Sequence, residues 1–164
     1  MNKGKLYISC GVPGSGKSTF LKKHVNKNES IVSRDEIRFM FLKDGEEYFS
    51  HEDKVFKYFI DIIAEFINSG QNVYADATHL NKASRDKLLY ALKKVGCEPS
   101  DIQAIFFDVP LKICLERNEK RKGTRTYVPR GVIRRMFYQL EFPTEFSTTW
   151  VVDENGNINK WISG

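Results

Sequence analysis

The sequence predicts a three-layer α/β domain built around a mainly parallel sheet. Two observations lead to it. Short apolar, β-prone runs alternate four times with segments of helical period. The chain of 164 residues, 41% of them hydrophobic, is long enough to bury one core and leaves little room for a second, so residues 1–164 are expected to form one domain. In such a sheet ligands bind at the carboxyl ends of the strands, which directs attention to the residues that follow each strand.

The first strand is Lys5 to Cys10, followed at once by glycines, and the first helix is Lys17 to Val25, with Phe20, Leu21 and Val25 at helical spacing. Ser30 to Ser33 reads as a second strand, with a helix starting at about Arg34. Asp53 to Ile67 repeats apolar residues with helical period until Ser69-Gly70 stops it. Asn72 to Ala75 is the third strand, Arg85 to Val95 the next helix, closed by Gly96, and Ile102 to Val109 the fourth strand, ended by Pro110. Leu111 to Asn118 and Val132 to Leu140 read as helices flanking a basic loop. Thr148 to Val152 is a last strand, and Asn155-Gly156 before Ile158 to Ile162 signals a small antiparallel hairpin at the sheet edge.

Composition excludes several classes. No apolar stretch is long enough for a membrane span, and the run Leu6 to Cys10 is too brief for a signal sequence, so a cytoplasmic protein without a membrane partner is expected. Cys10, Cys97 and Cys114 are odd in number and unclustered, which argues against a disulfide framework and a structural zinc site. The net charge is +5 and is concentrated: Lys112 to Arg135 holds nine basic residues against Glu116 and Glu119. Such a segment is either a solvated helix face or a seat for a polyanion.

Chemistry begins after the first strand. Gly11-Val12-Pro13-Gly14-Ser15-Gly16-Lys17-Ser18-Thr19 fits G-x-x-x-x-G-K-[ST] between a strand and a helix. Glycines let backbone N–H groups turn inward around phosphate oxygens, and the helix N-terminus adds its dipole. Lys17 is expected to reach the β- and γ-phosphates of ATP or another nucleoside triphosphate, and the Ser18 hydroxyl to ligate Mg²⁺.

After the second strand stands Ser33-Arg34-Asp35-Glu36-Ile37-Arg38. Asp35 and Arg38, three apart on a helix, can face the same crevice, where the carboxylate would take the proton of an acceptor hydroxyl and the arginine would hold a substrate phosphate. Alternatively, Ser33 caps the helix and Asp35 merely complements its dipole. The third strand runs into Asp76-Ala77-Thr78-His79-Leu80-Asn81, placing Asp76 near the loop as a water-mediated Mg²⁺ ligand and Thr78 beside the substrate, or else a helix cap through Thr78 or Asn81. Arg117 and Arg121 share a helix face, and Arg125 follows in the next turn, which suits a lid over about 117–130 that brings guanidinium groups to the donor phosphates. Arg117 could instead pack beneath that lid. Aromatics between Phe39 and Phe49, including Phe41, Tyr48 and Phe49, either stack a nucleobase or join the core.

Taken together, GVPGSGKST, SRDEIR, DATHLN, FDVP with LERNEKR, and YVP before VIRRMF resemble the 5′-kinase domain of the bacteriophage T4-type polynucleotide kinases, within the P-loop kinase class. The resemblance implies a five-stranded sheet of order 2-3-1-4-5 and Mg²⁺-dependent transfer of the ATP γ-phosphate to the 5′-hydroxyl of a polynucleotide. It implies Lys17 and Ser18 on phosphates and metal, Asp35 as general base, Arg38 on the acceptor's 3′-phosphate, and Arg117 and Arg121 as lid arginines. The chain holds no D-x-D-G-T motif, so 3′-phosphatase activity is not expected.

Rival readings are a P-loop kinase of a small alcohol (a sugar, nucleotide sugar, antibiotic or aminoacyl-tRNA) and a nucleotide-dependent nucleic-acid-binding module. A nucleoside monophosphate kinase fits less well, because Asp35 would repel a phosphate acceptor.

Overall fold

The computed structural model describes residues 2–162. Twelve elements follow in order: β1 (Leu6–Cys10), α1 (Lys17–His24), β2 (Glu29–Ser33), α2 (Arg34–Phe41), α3 (Glu52–Asn68), β3 (Asn72–Asp76), α4 (Lys82–Lys94), β4 (Ile102–Phe107), α5 (Leu111–Glu119), α6 (Arg130–Gln139), β5 (Thr148–Val152) and β6 (Ile158–Ile162). They form one sheet of order β2-β3-β1-β4-β5-β6. The first five strands are parallel, and β6 pairs antiparallel with β5, Thr149 opposite Trp161 and Val151 opposite Asn159.

The α/β class, the order of the first five strands and the terminal hairpin are as expected. The sheet has six strands rather than five because the second arm of the hairpin joins the same sheet. Asp153 organises the intervening turn, its Oδ1 accepting from the backbone N–H groups of Asn155 and Asn157 at 2.9 Å each, while Gly156 takes φ 79°.

The period-2 alternation of the strands divides the core into two halves. In β1, Leu6, Ile8 and Cys10 face one side and Tyr7 the other; in β4, Ala104 and Phe106 part from Ile105 and Phe107 in the same way. The first half is closed by Ile37 of α2, by Val55, Phe59, Ile60, Ile63 and Ile67 of α3, and by Leu88 and Leu92 of α4. The second is closed by Leu21 of α1, Cys114 and Leu115 of α5, and Ile133 of α6. Each large aliphatic side chain so buried contributes about 1.5–3 kcal/mol of transfer free energy, and the two halves together fix the three layers.

Helix boundaries differ from expectation by two or three residues at two N-termini. Helix α4 starts at Lys82, three residues early, because Asn81 Oδ1 accepts from Ser84 N at 3.0 Å while Ser84 Oγ faces the Asn81 N–H at 3.2 Å, a capping box made with serine in place of glutamate. Helix α6 starts at Arg130, directly after Pro129. One buried ion pair ties α4 to the segment before β5: Arg85 is 1% exposed and its guanidinium donates to both carboxylate oxygens of Glu145, at 2.9 and 3.3 Å, and to the carbonyls of His79 and Glu141. Among the described residues no helix is long and apolar enough to cross a membrane.

Candidate active site

The strand order puts the carboxyl ends of β1, β2 and β3 side by side, and the segments leaving them line a cleft of about 870 Å³. Its floor is the loop between β1 and α1. Gly14 and Gly16 have φ 86° and 91°, the left-handed conformation that side chains resist. At Gly14 the constraint is double, since an added Cβ would stand 2.4 Å from the Cys114 carbonyl oxygen. Gly14→Ala is therefore expected to cost about 2 kcal/mol of stability and to weaken nucleotide binding. Thermal melting with and without ATP checks this, and an unchanged ATP-induced shift would contradict it.

The loop carries the marks of an anion seat. Helix α1 has no side-chain hydrogen bond at its Gly16 cap, leaving its first-turn amides unmatched within the helix. The buried Ser15 Oγ has no hydrogen-bond partner. Lys17, half-buried, donates to the Val12 carbonyl at 3.1 Å. Burial pulls its ammonium below the ordinary lysine range, and Asp76 and Asp35 oppose that shift only in part. A phosphate oxygen brought to this loop would satisfy the orphaned hydroxyl, the amides and the desolvated cation together.

Asp76, at the end of β3, is 6% exposed and accepts from Ser18 Oγ at 2.9 Å. Burial raises its carboxyl above the usual range, and Lys17 and the Ser18 hydroxyl oppose this without cancelling it. Asp76 thus faces the phosphate loop, and the helix cap is made by Asn81 instead. A hydroxyl and a carboxylate at this separation are hard oxygen donors of the kind Mg²⁺ takes, and a cation there would relieve the buried charge. Thr78 lines the same cleft, and its carbonyl accepts from Gly11 N at 3.0 Å, fastening the start of the loop to the end of β3. His79 takes φ 40°, and its buried ring meets the Ser9 carbonyl through Nδ1 at 2.8 Å. Burial pushes the imidazole down to about 4, which keeps it neutral.

On the opposite wall, Ser33 Oγ caps α2 by accepting from Glu36 N at 3.2 Å, so α2 begins immediately at the end of β2. Asp35, with a side chain 62% exposed, stands at the cleft mouth. It accepts from the Tyr48 hydroxyl at 2.6 Å and from Arg38. Arg38 itself is 6% exposed. Its Nε and Nη2 donate to the two oxygens of Glu52 at 2.7 Å each, and Nη1 serves Asp35 and the Tyr48 oxygen. Asp35 and Arg38 do share one crevice, but Arg38 lies beneath Asp35 with most of its donors committed to protein.

The lid arginines separate into three environments. Arg121 lines the cleft. Arg117 is held below it, donating to the Gly14 carbonyl at 3.3 Å and the Glu154 carbonyl at 2.6 Å, the bracing position left open as an alternative. Arg125 has its guanidinium over the Phe39 ring, 4.2 Å from the centroid, linking the loop after α5 to α2. The buried Asn118 pins the base of that loop through Val128, donating to its carbonyl at 2.6 Å and accepting from its N–H at 3.0 Å.

The three aromatics also part company. Phe41 packs against the core, Tyr48 bonds Asp35, and Phe49 is 60% exposed at the cleft edge. Tyr48 as a partner of Asp35, and Glu52 as the carboxylate under Arg34 and Arg38, have no counterpart in the sequence reading. The gaps of 13 and 14 residues that separate Tyr48 from Asp35 and Glu52 from Arg38 run through an irregular segment that no periodicity describes.

The profile of the AAA domain family matches residues 6–143. A curated relative, transcription factor bHLH140 of Arabidopsis thaliana, is 26% identical over 142 residues, covering 84% of this chain but 14% of that protein. Among solved structures, a chain of the Pnkp1/Rnl/Hen1 RNA repair complex superposes with a TM-score of 0.74 at 24% identity, covering the whole of this chain and 50% of its own; a second structure of that complex gives 0.60 at 28% identity, over 71% of this chain and 40% of that one. A gluconokinase from Sinorhizobium meliloti 1021 gives 0.58 at 20% identity, over 93% of this chain and 84% of its own. The chain thus spans half or less of the RNA repair proteins it matches and most of the small-molecule kinase. With its phosphate loop, its parallel sheet order and its profile match in agreement, the chain belongs to the AAA domain family and is built as a P-loop kinase.

Proposed function

We propose that this protein transfers the γ-phosphate of ATP, with Mg²⁺, to the 5′-hydroxyl of a polynucleotide. One observation carries the reading. An exposed carboxylate, Asp35, is oriented by Arg38 and Tyr48 at the mouth of the cleft whose floor is Lys17, Ser18 and Asp76. A kinase of hydroxyl groups needs that pairing, because an alcohol must lose its proton as its oxygen attacks, whereas a phosphate acceptor needs no base.

The chain's residues divide the work. The loop from Gly11 to Thr19 cradles the donor phosphates through its amides, with Ser15 Oγ gaining the partner it lacks. Lys17 sets its charge against the donor phosphates, and Ser18, with Asp76 through water, would hold Mg²⁺, which when bound would supply positive charge to the phosphate oxygens. Asp35 accepts the proton of the 5′-hydroxyl as the new O–P bond forms and the bond to the leaving diphosphate breaks. Arg121 covers the transferring group from the lid, Arg117 stiffens the loop beneath it, and Arg125 holds the lid to α2 through Phe39. Thr78 lies on the acceptor side.

Two features support a polynucleotide acceptor. SRDEIR and LERNEKR resemble motifs of the polynucleotide kinases, and the whole chain superposes on a chain of an RNA repair complex. An aromatic ring, Phe49, stands exposed beside Asp35 where a nucleobase would lie. The gluconokinase likeness supports the second reading, a small-alcohol kinase. An acceptor panel separates the two. With ATP and Mg²⁺, a single-stranded oligonucleotide bearing a 5′-hydroxyl is expected to be phosphorylated, while gluconate and a free hexose are not. The reverse pattern would place the acceptor among small metabolites.

A further inference from the structure

The ladder between β1 and β3 stops short of the site. Its last paired residues are Ile8 and Ala75, whereas β1 stays paired with β4 as far as Cys10 opposite Phe106. The two strands therefore part just before the phosphate loop and Asp76, and side chains supply the bonds that hold them there. Ser9 Oγ lies 3.1 and 3.0 Å from the carbonyls of Ala75 and Ala77 and accepts from Ala77 N at 3.3 Å. The Ser9 carbonyl is met by the His79 ring at 2.8 Å; a carbonyl only accepts, so Nδ1 carries the proton and donates.

The backbone of His79 is unusual as well. Among the described residues it alone, glycines apart, has a positive φ, 40°, and the residue is buried. Histidine enters this region more readily than most side chains, and a residue kept there is held by its surroundings. Those surroundings are in view. Arg85 Nη1 donates to the His79 carbonyl at 3.1 Å, Glu141 N to the Leu80 carbonyl at 2.7 Å, and Gly11 N to the Thr78 carbonyl at 3.0 Å. The segment that follows Asp76 is thus fastened to β1 on one side and to α4 and the chain before β5 on the other. The imidazole bridge sets how far that segment stands from β1. On this separation depends the meeting of Asp76 with Ser18 Oγ, 2.9 Å apart, and the place of Thr78 in the cleft.

Resting on the roles given above to Asp76 and Thr78, we propose that His79 is a positioning residue for phosphoryl transfer. Its Nδ1–H bridge to the Ser9 carbonyl holds the Asp76 carboxylate and Thr78 in register with the phosphate loop. The segment DATHLN points to Asp76, Thr78 and Asn81; His79 acts through the first two.

Two variants test this. His79→Gly accepts the left-handed backbone and deletes the bridge. His79→Asn also tolerates that backbone and returns an N–H donor the same number of bonds from the chain as Nδ1. Both are followed by thermal melting, by calorimetry of ATP with and without Mg²⁺, and by turnover on a 5′-hydroxyl oligonucleotide. In His79→Gly, kcat is expected to fall about a hundredfold, the cost of a displacement of about 1 Å. The strengthening of ATP binding by Mg²⁺ should be lost with it, while the melting temperature and the ATP affinity without Mg²⁺ change little. His79→Asn should restore both kcat and the Mg²⁺ effect. Three results overturn the inference: His79→Gly keeping wild-type kcat and Mg²⁺ effect, His79→Asn failing as His79→Gly does, or His79→Gly losing melting temperature and metal-free ATP affinity together with kcat, which marks a strut of the fold alone. The calorimetry needs no acceptor. An unlabelled oligonucleotide, with a Mg²⁺ effect that His79→Gly loses and His79→Asn keeps, overturns the acceptor reading and leaves the inference standing. A wild-type ATP affinity indifferent to Mg²⁺ overturns the role of Asp76 and the inference with it.

Discussion

Lys17→Ala is expected to reduce turnover by about three orders of magnitude or more, whatever the acceptor. The reason lies in what the site already spends on this residue. Lys17 has its ammonium weakened by desolvation; it donates to the Val12 carbonyl, and the nearby Asp76 and Asp35 oppose the weakening only in part. A desolvated cation gains most when the charge it faces increases, which is what happens as the γ-phosphate departs. Because Lys17 also opposes the burial cost of Asp76, its removal should weaken any Mg²⁺ effect on ATP binding. Steady-state turnover with a calorimetric titration of ATP checks both, and a variant with even a tenth of wild-type kcat would show that the loop is not the donor site.

The second large effect is expected at Asp35. Asp35→Asn keeps the shape of the side chain and an oxygen to accept from Tyr48 or Arg38, but it removes the basic lone pair. A loss of about 10²–10⁴ in kcat is expected, the usual worth of a positioned general base, with the affinities for ATP and oligonucleotide retained. The retained affinities matter, because a nucleotide-dependent binding module would keep its function in this variant and a kinase would not. Equal falls in binding and turnover would instead point to a structural role at the start of α2. Tyr48→Phe provides a graded companion. It removes one of the two donors that hold Asp35 and leaves the carboxylate itself, so kcat should fall less than in Asp35→Asn.

How far the molecule was legible depends on whether the information is local. The phosphate loop is nine contiguous residues whose conformation is set by its own glycines, and the structure folds it as read, with Gly14 and Gly16 at positive φ. Asp35 and Arg38 were legible as a pair because helical spacing alone brings i and i+3 together. The hairpin was legible from Asn155-Gly156. The boundary of α4 was not, since its capping box uses Ser84 where the usual signature has glutamate or glutamine.

The less legible part of the site is the support beneath it. Glu52 meets Arg38, Tyr48 meets Asp35, Arg85 meets Glu145 and Asn118 meets Val128 across gaps of 14, 13, 60 and 10 residues. Such contacts are decided by how elements dock, which leaves no period or motif in the chain. The same holds for the arginines. Their abundance between Lys112 and Arg135 is plain in the sequence, but only packing shows that Arg117 is spent on carbonyls, that Arg125 rests on Phe39, and that Arg121 is the one of the three lining the cleft.

The most direct measurement follows a labelled γ-phosphate from ATP, with Mg²⁺, onto a single-stranded oligonucleotide, using a 5′-phosphorylated copy and the Asp35→Asn protein as controls. The account predicts label at the 5′ end of the hydroxyl-bearing strand, none on the phosphorylated copy, and almost none with the variant. A protein that binds ATP yet leaves the hydroxyl-bearing strand unlabelled, or labels it as fast without the Asp35 carboxylate, would contradict it.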